Sequence, residues 1–223
     1  MALGRKNKTP SGKLLILKIK TQDADKHAIP PHFEISEKGA DGKYVKRDQT
    51  ETQVQGTLVK VEVKEEDYKG DKYNKVSIIL SDEDEIYLLD TRVNMLTRSL
   101  YNSLLSLTSF DDVSISLYVY KKTDKATGAV TEYPAVSVWQ NGQQVKWLVP
   151  IADQPKPVSV IFKGKKQNDY TEVDNLFVEK LKTFSKVVES ASKGSKSKKP
   201  TPDIPSTDTQ DELDEEPLDG APF

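Results

Sequence analysis

Asn94-Met-Leu-Thr-Arg-Ser-Leu-Tyr-Asn-Ser-Leu-Leu-Ser-Leu107 decides the fold, because it is the one helical period inside a run of alternating sequence. Leu96, Leu100, Leu104 and Leu107 recur at helical spacing, Asn94 stands at the N-cap position, and no Gly or Pro interrupts the run. On its N-terminal side lie three strand patterns. Thr52 to Lys64 is long, with Thr57, Val59, Val61 and Val63 read onto one face, Leu58, Lys60 and Glu62 onto the other, and Gly56 offering a bend. A polar loop over Glu65 to Lys72 leads to Tyr73–Leu80, where Val76, Ile78 and Leu80 point inward. The turn Ser81 to Asp84 then returns the chain as Glu85–Leu89.

Two more strands follow the helix. In Val113–Tyr120, Val113, Ile115, Leu117 and Val119 face one way and Ser114, Ser116, Tyr118 and Tyr120 the other. Tyr133–Gln140 is joined to Gln143–Val149 by Asn141-Gly142, a dipeptide whose two positive-φ positions suit a tight hairpin. Three strands, a helix and two strands, with a long bent first strand, is the order of an OB-fold: a mainly β, five-stranded barrel capped by one helix. A helix-capped sheet of another topology is the alternative.

The rest of the chain reads as additions to this core. Residues 1–12 form a basic arm and 13–50 an N-terminal strand and hairpin, built from Lys13–Lys20 and from segments pairing across Gly39-Ala-Asp-Gly42. The OB-like core spans 51–168, including an extra strand at Val158–Phe162 and a basic turn at Lys163–Gln167. Residues 169–190 form an amphipathic helix, opened by Thr171-Glu-Val-Asp174 at capping-box spacing and striped by Val173, Leu176, Phe177, Leu181, Phe184, Val187 and Val188. That stripe is expected to dock on the barrel rather than pair with a second copy. A linker rich in Lys, Ser, Pro and Thr covers 191–210, and 211–223 is a disordered acidic tail.

Composition narrows the chemistry. The apolar share of 35% over 223 residues is thin for a chain packed throughout, as the two extensions require. The absence of cysteine excludes disulfides, thiolate nucleophiles and Cys-containing metal sites. His27 and His32 flank Ile29-Pro-Pro31 and read as a solvated turn; Asp82 to Glu85 reads as a polar turn rather than a two-metal site. With no phosphate-cradling glycine loop and no nucleophile-base set, neither an enzyme nor a cofactor or metal site is expected. The Met1 start lacks an apolar signal region, so a cytoplasmic location is expected.

Charge is unevenly distributed. Eight acids and no base lie from Asp203 onward, leaving 33 bases against 27 acids in the body, about +6. A basic body with an acidic end suggests a polyanion ligand and a built-in mimic of it. By alternation Lys60, Tyr73, Lys75, Tyr87, Tyr118, Tyr120 and Trp139 stand opposite the aliphatic face, mixing cations with π-surfaces on which bases of a single strand stack. Each aromatic alone is more economically read as strand-forming surface; the set is what points to nucleic acid. Trp147, in register with Val145 and Val149, is assigned to packing.

An OB-like body, a low-complexity linker and an acidic peptide closing in Pro222-Phe223 resemble the single-stranded-DNA-binding proteins of bacteria and bacteriophages. The resemblance implies a body that holds exposed single-stranded DNA during replication, recombination and repair. It also implies a tail, Asp211, Glu212, Asp214, Glu215, Glu216, Asp219, Pro222 and Phe223, that recruits a polymerase, helicase or nuclease and competes with DNA for the body. Bacterial members carry a run of Asp before Ile-Pro-Phe, whereas this chain has Asp-Gly-Ala-Pro-Phe, a departure that suits a phage protein with its own partners in the infected cell. A homo-oligomer is compatible with this reading. The other functions weighed are a strand-annealing recombination mediator, an RNA-binding OB module and a protein-interaction module with a solubilising tail.

Overall fold

The computed structural model describes residues 12–162 and 164–192. It is mainly β: β1 (Lys13–Gln22), β2 (Ala28–Lys38), β3 (Tyr44–Glu51), β4 (Gln53–Tyr68), β5 (Asp71–Ser81), β6 (Glu85–Arg92), α1 (Met95–Leu104), β7 (Val113–Thr123), β8 (Val130–Gln140), β9 (Gln143–Gln144), β10 (Val158–Phe162), β11 (Lys165–Asp169) and α2 (Thr171–Ser192). Nine strands form one sheet in the order β3-β2-β1-β6-β5-β4-β7-β8-β9, and β10 and β11 form a separate hairpin.

The helix and meander stand as the sequence implied, but the barrel does not close. Closure would require β6 to pair with β8. Its outer edge is instead taken by β1, which runs parallel to it with Leu15 opposite Tyr87 and Leu17 opposite Leu89. The N-terminal strands thus extend the same sheet outward from the edge of β6, as an addition to the core. The sheet curls until β2 packs against β7, enclosing Leu15, Leu17, Phe33, Ile35, Val76, Ile78, Leu89, Ile115 and Val138 in one core.

Curling depends on β4, which changes partner along its length. Gln53 to Gly56 pair with β7, and from Thr57 onward the strand pairs with β5. Gly56 sits at the hand-over, where a Cβ would come within 2.8 Å of the Ser81 carbonyl oxygen, so only glycine lets the two backbones meet. The register then shifts between Leu58 and Lys60. This bulge corrects the expected facing of the strand: Leu58 joins Val54, Val61 and Val63 on the core side, while Thr57 and Lys60 turn outward. The expected loop at 65–72 is also largely strand. Lys69 and Gly70, both at positive φ (56° and 87°), turn the chain in two residues and let the ladder run to Glu66–Tyr73 and beyond.

α1 begins at Asn94, whose side chain accepts from Thr97 N while Thr97 Oγ1 accepts from Asn94 N, a reciprocal cap. Leu100 and Leu104 are fully buried, as is Tyr101, whose phenol hydrogen-bonds Thr91 Oγ1 at 2.6 Å. Burial raises the Tyr101 pKa to about 12. The strand expected over 143–149 stops at Gln144 because the buried Asn102 captures the chain beyond it. Its Nδ2 donates to Val149 O and its Oδ1 accepts from Val149 N, each at 2.8 Å, drawing the segment off the sheet edge and onto α1.

α2 docks on the domain, burying Val173, Phe177, Leu181, Phe184 and Val188 against β4 and α1, with Phe184 edge-on to Phe110 at 5.8 Å. Val187 stays exposed. The capping box expected between Thr171 and Asp174 is absent: Asp169 Oδ1 accepts from Thr171 N and Oγ1, and Asp174 reaches α1 to pair with Arg98 at 2.6 Å. The arm of residues 1–11, the linker beyond Ser192 and the tail of residues 211–223 lie outside the described residues.

Replacing Asn102 by Ala strands the Val149 N–H and removes one of two donors to Val149 O, which keeps its bond from Gln154 Nε2 at 3.2 Å, so urea unfolding should report a loss of about 1–3 kcal/mol. A loss below about 0.5 kcal/mol, the scale of a neutral surface substitution, would contradict this role.

Candidate nucleic-acid interface

Cross-strand register sorts the seven expected contact residues into two outward patches and one inward residue. Pairing of β7 with β8 sets Ser114 opposite Trp139, Ser116 opposite Ser137, Tyr118 opposite Ala135 and Tyr120 opposite Tyr133, all on the face away from the core. β4 extends that face with Gln53 opposite Ser116 and Gln55 opposite Ser114, and β9 adds Gln144 opposite Trp139. Tyr118, Tyr120 and Trp139 thus do share one surface, and they keep 43%, 37% and 38% of their area exposed.

A groove of about 620 Å³ runs along this face. Ser114, Ser116 and Ser137 form a floor of small hydroxyls, with Trp139 level with Ser114 and Tyr118 one step beyond Ser116 along β7; Gln53 and Gln55 line the β4 side, Gln144 the β9 side, and Asp112 and Gly142 the end beyond Ser114. The Trp139 indole N–H donates to Ser137 Oγ at 2.9 Å, which fixes the ring beside the floor. Asn141 and Gly142, at φ 51° and 75°, make the tight turn that the dipeptide implied and bring Gln144 back beside Trp139. Tyr118 and Tyr120 lie two residues apart on β7, about 6.7 Å, twice the 3.4 Å step of stacked bases.

Lys60, Tyr73 and Lys75 lie on the outward face of the β4–β5 ladder, beyond the hand-over at Gly56. Their groups are already engaged. Arg92 covers the Tyr73 ring with its guanidinium 3.7 Å from the centroid, and the Tyr73 phenol donates to Glu66 at 2.7 Å. Lys75 bridges Asp90 and Glu66 at 2.9 and 3.2 Å, which raises its pKa, while the hydrogen bonds from Tyr73 and Lys75 hold the Glu66 carboxyl below its ordinary value. Lys60 and Lys64 share Glu62. This patch is a charge-balanced lattice, and its one aromatic already carries a cation.

Tyr87 corrects the sequence reading. It pairs with the core residue Leu80 on one side and with Leu15 on the other, so it faces inward with Leu89. Its phenol donates to Glu85 at 2.7 Å, and Glu85 also holds Arg47, which binds Glu37. Burial, reinforced by the Glu85 carboxylate, pushes the Tyr87 pKa to about 12. This polar cluster sits against the β1–β6 junction that stands where the barrel would close.

The sequence reading left out the amides of Gln53, Gln55 and Gln144, the hydroxyl of Ser114 and the carboxylate of Asp112. The serines were assigned to the outward face, but strand pairing was needed to bring β4 and β9 beside them. Beyond β9, Val145 N still donates to Val138 O at 2.8 Å, and exposed Lys146 follows it. His27 folds onto Asp23 in the exposed β1–β2 turn, and no described helix is long and apolar enough to cross a membrane.

In comparison with known proteins, no family model, no curated sequence and no solved structure matches the chain.

The inward placement of Tyr87 has a pH signature. Tyr87 and Tyr101 have folded pKa values above the ordinary 10, so the fold favours their neutral forms. Their stabilisation is complete below pH 10 and is lost as pH rises from there through about 12. Ultraviolet titration should therefore show these two phenols ionising last, with Tyr87→Phe removing one of them and leaving ligand binding at the groove unchanged. Loss of strand binding in Tyr87→Phe would return this residue to the interface.

Proposed function

We propose that the protein binds single-stranded DNA without catalysis, using the β4–β7–β8–β9 face as its platform. The observation that carries this reading is the presence of Tyr118, Tyr120 and Trp139 on one outward face, half exposed, along a groove lined by hydroxyls and amides. Rings on a sheet accept bases of any sequence by stacking, and a groove open along its length suits an extended strand rather than a duplex. Cations for the phosphates stand at Lys122, in alternation with Tyr118 and Tyr120 on β7, and at exposed Lys146. Lys121 lies on the opposite face of β7, where it meets Glu132 at 2.9 Å.

The architecture supports the family-level part of the reading as well. β4, β5, β6, α1, β7 and β8 follow the OB succession, and β4 pairs with both β5 and β7 as the first strand of such a body would. On this proposal the body is an OB-fold opened by insertion of β1 and β2 beside β6. Replication, recombination and repair in a phage-infected cell are the setting we propose, with the tail at 211–223 recruiting replication proteins and competing with DNA for the basic surface. Deleting 211–223 should then tighten DNA binding at low salt, and unchanged affinity would speak against that competition.

Fluorescence anisotropy with a labelled single strand of mixed sequence, over a salt series, tests the platform. Trp139→Ala and Tyr118→Ala should each weaken binding by about 1–3 kcal/mol, while Tyr73→Ala, whose ring Arg92 covers, should change it by less than about 0.5 kcal/mol. Equal losses at all three positions, or none, would overturn the assignment of the platform, and duplex DNA competing as well as single strand would overturn the ligand class.

A further inference from the structure

The groove floor contains a buried polar atom that the fold does not satisfy. Ser114 Oγ lies in a residue only 5% exposed, and among the described residues it is the buried side-chain oxygen or nitrogen without a hydrogen-bond partner. Such a group is unfavourable to hold unless something completes it. Ser114 lines the groove, between Gln55 on one neighbouring strand and Trp139 on the other, so the missing partner can arrive only from the groove side.

The groups beside it have defined polarity. Gln55 Nε2 donates to Asp112 Oδ1 at 2.6 Å, and because a carboxylate can only accept, this bond orients the amide and leaves Gln55 Oε1 as an acceptor toward the groove. Asp112 is held at φ 56°, a left-handed conformation uncommon outside glycine, where the β7 ladder begins. Backbone strain of this kind persists where surrounding structure enforces it. At the Ser114 end, next to Trp139, the floor therefore presents the Asp112 carboxylate and the Gln55 amide oxygen as acceptors beside the Ser114 hydroxyl, while the Ser116 and Ser137 hydroxyls and the Gln53 and Gln144 amides line the rest of the groove. No cation lines the groove, so a phosphate has no partner there.

From this arrangement we infer that the floor reads the edge of a base stacked on Trp139, and that it favours amino-bearing bases over thymine, with cytosine as the type case. The inference rests on the strand-binding reading above and assigns that site a base preference. Cytosine offers its N4 amino group to the acceptors, whereas thymine at the same position offers a carbonyl oxygen and would set acceptor against acceptor. Cytosine and thymine are both single-ring bases, so the difference isolates the edge contacts from stacking area. The Ser114 hydroxyl completes the set by bonding a ring nitrogen or carbonyl of the same base.

Competition of oligo-dC and oligo-dT of equal length against a labelled mixed-sequence strand tests it on the full-length protein. Oligo-dC should compete about 10-fold better, equivalent to about 1.4 kcal/mol. Asp112→Asn places an amide donor in the carboxylate's position and tolerates the left-handed backbone, so it should shrink or invert the dC:dT ratio. Ser114→Ala should raise the thermal midpoint, since it removes an unsatisfied buried hydroxyl, while weakening oligo-dC binding several-fold; a purely structural serine would not move the two in opposite directions. Equal competition by both oligomers, or an unchanged ratio in Asp112→Asn, overturns the base preference and leaves strand binding standing. Failure of every strand to bind removes both readings.

Discussion

The structure depends on one backbone hand-over. β4 pairs with β7 through Gly56 and with β5 from Thr57 onward, and the two partners meet where the Ser81 carbonyl presses on the glycine. A strand that serves two ladders must twist between them, and the bulge at Val59 absorbs that twist while keeping Val54, Leu58, Val61 and Val63 in the core. Everything that positions the candidate interface follows from it. Gln53 and Gln55 are carried beside Ser116 and Ser114, while Lys60 and its neighbours belong to the other ladder and its charge lattice.

A second constraint lies at the opposite side of the sheet. β1 occupies the edge of β6 in parallel, so the sheet is wider than the five strands of a barrel and curls without closing. The core is then completed by side chains rather than by a closing ladder. β2 supplies Phe33 and Ile35 against β7, α2 lays Phe177, Leu181 and Val188 along β4, and α1 buries Leu100, Tyr101 and Leu104. Each such fully buried apolar side chain contributes about 1.5–3 kcal/mol. The amphipathic stripe of α2 goes into this packing except at Val187, which stays exposed.

How much was readable before the structure follows the range of the forces involved. α1 was evident in outline because its cap and its leucine spacing are local signals, and Asn141-Gly142 was evident because the turn's φ angles belong to those two residues. Tyr118, Tyr120 and Trp139 were each read by alternation as opposite the aliphatic residues of their own strand, and the pairing of β7 with β8, free of bulges, is what brings them to one face. Where an irregularity intervened, alternation misled: the Val59 bulge reversed the facing of half of β4. Tyr87 shows a different limit. An alternating tyrosine beside acids looks outward from sequence, but its neighbours are Leu80 and Leu15, and the latter comes from a strand far away in the chain. The closing edge of a barrel is likewise a long-range choice, which the succession of elements leaves open. The floor of the groove was hidden for the same reason, because serines and glutamines carry no signal until four strands bring them together.

The central claim is that single-stranded DNA lies along β7 and β8 over Tyr118, Tyr120 and Trp139. Photocrosslinking of a single strand carrying 5-iodocytosine, followed by peptide mapping, tests it most directly because the adduct reports contact rather than affinity. The account predicts adducts on Tyr118, Tyr120 or Trp139, lost in the presence of excess unlabelled single strand. Adducts confined to Tyr73 or Tyr44, or a pattern indifferent to competitor, would contradict it.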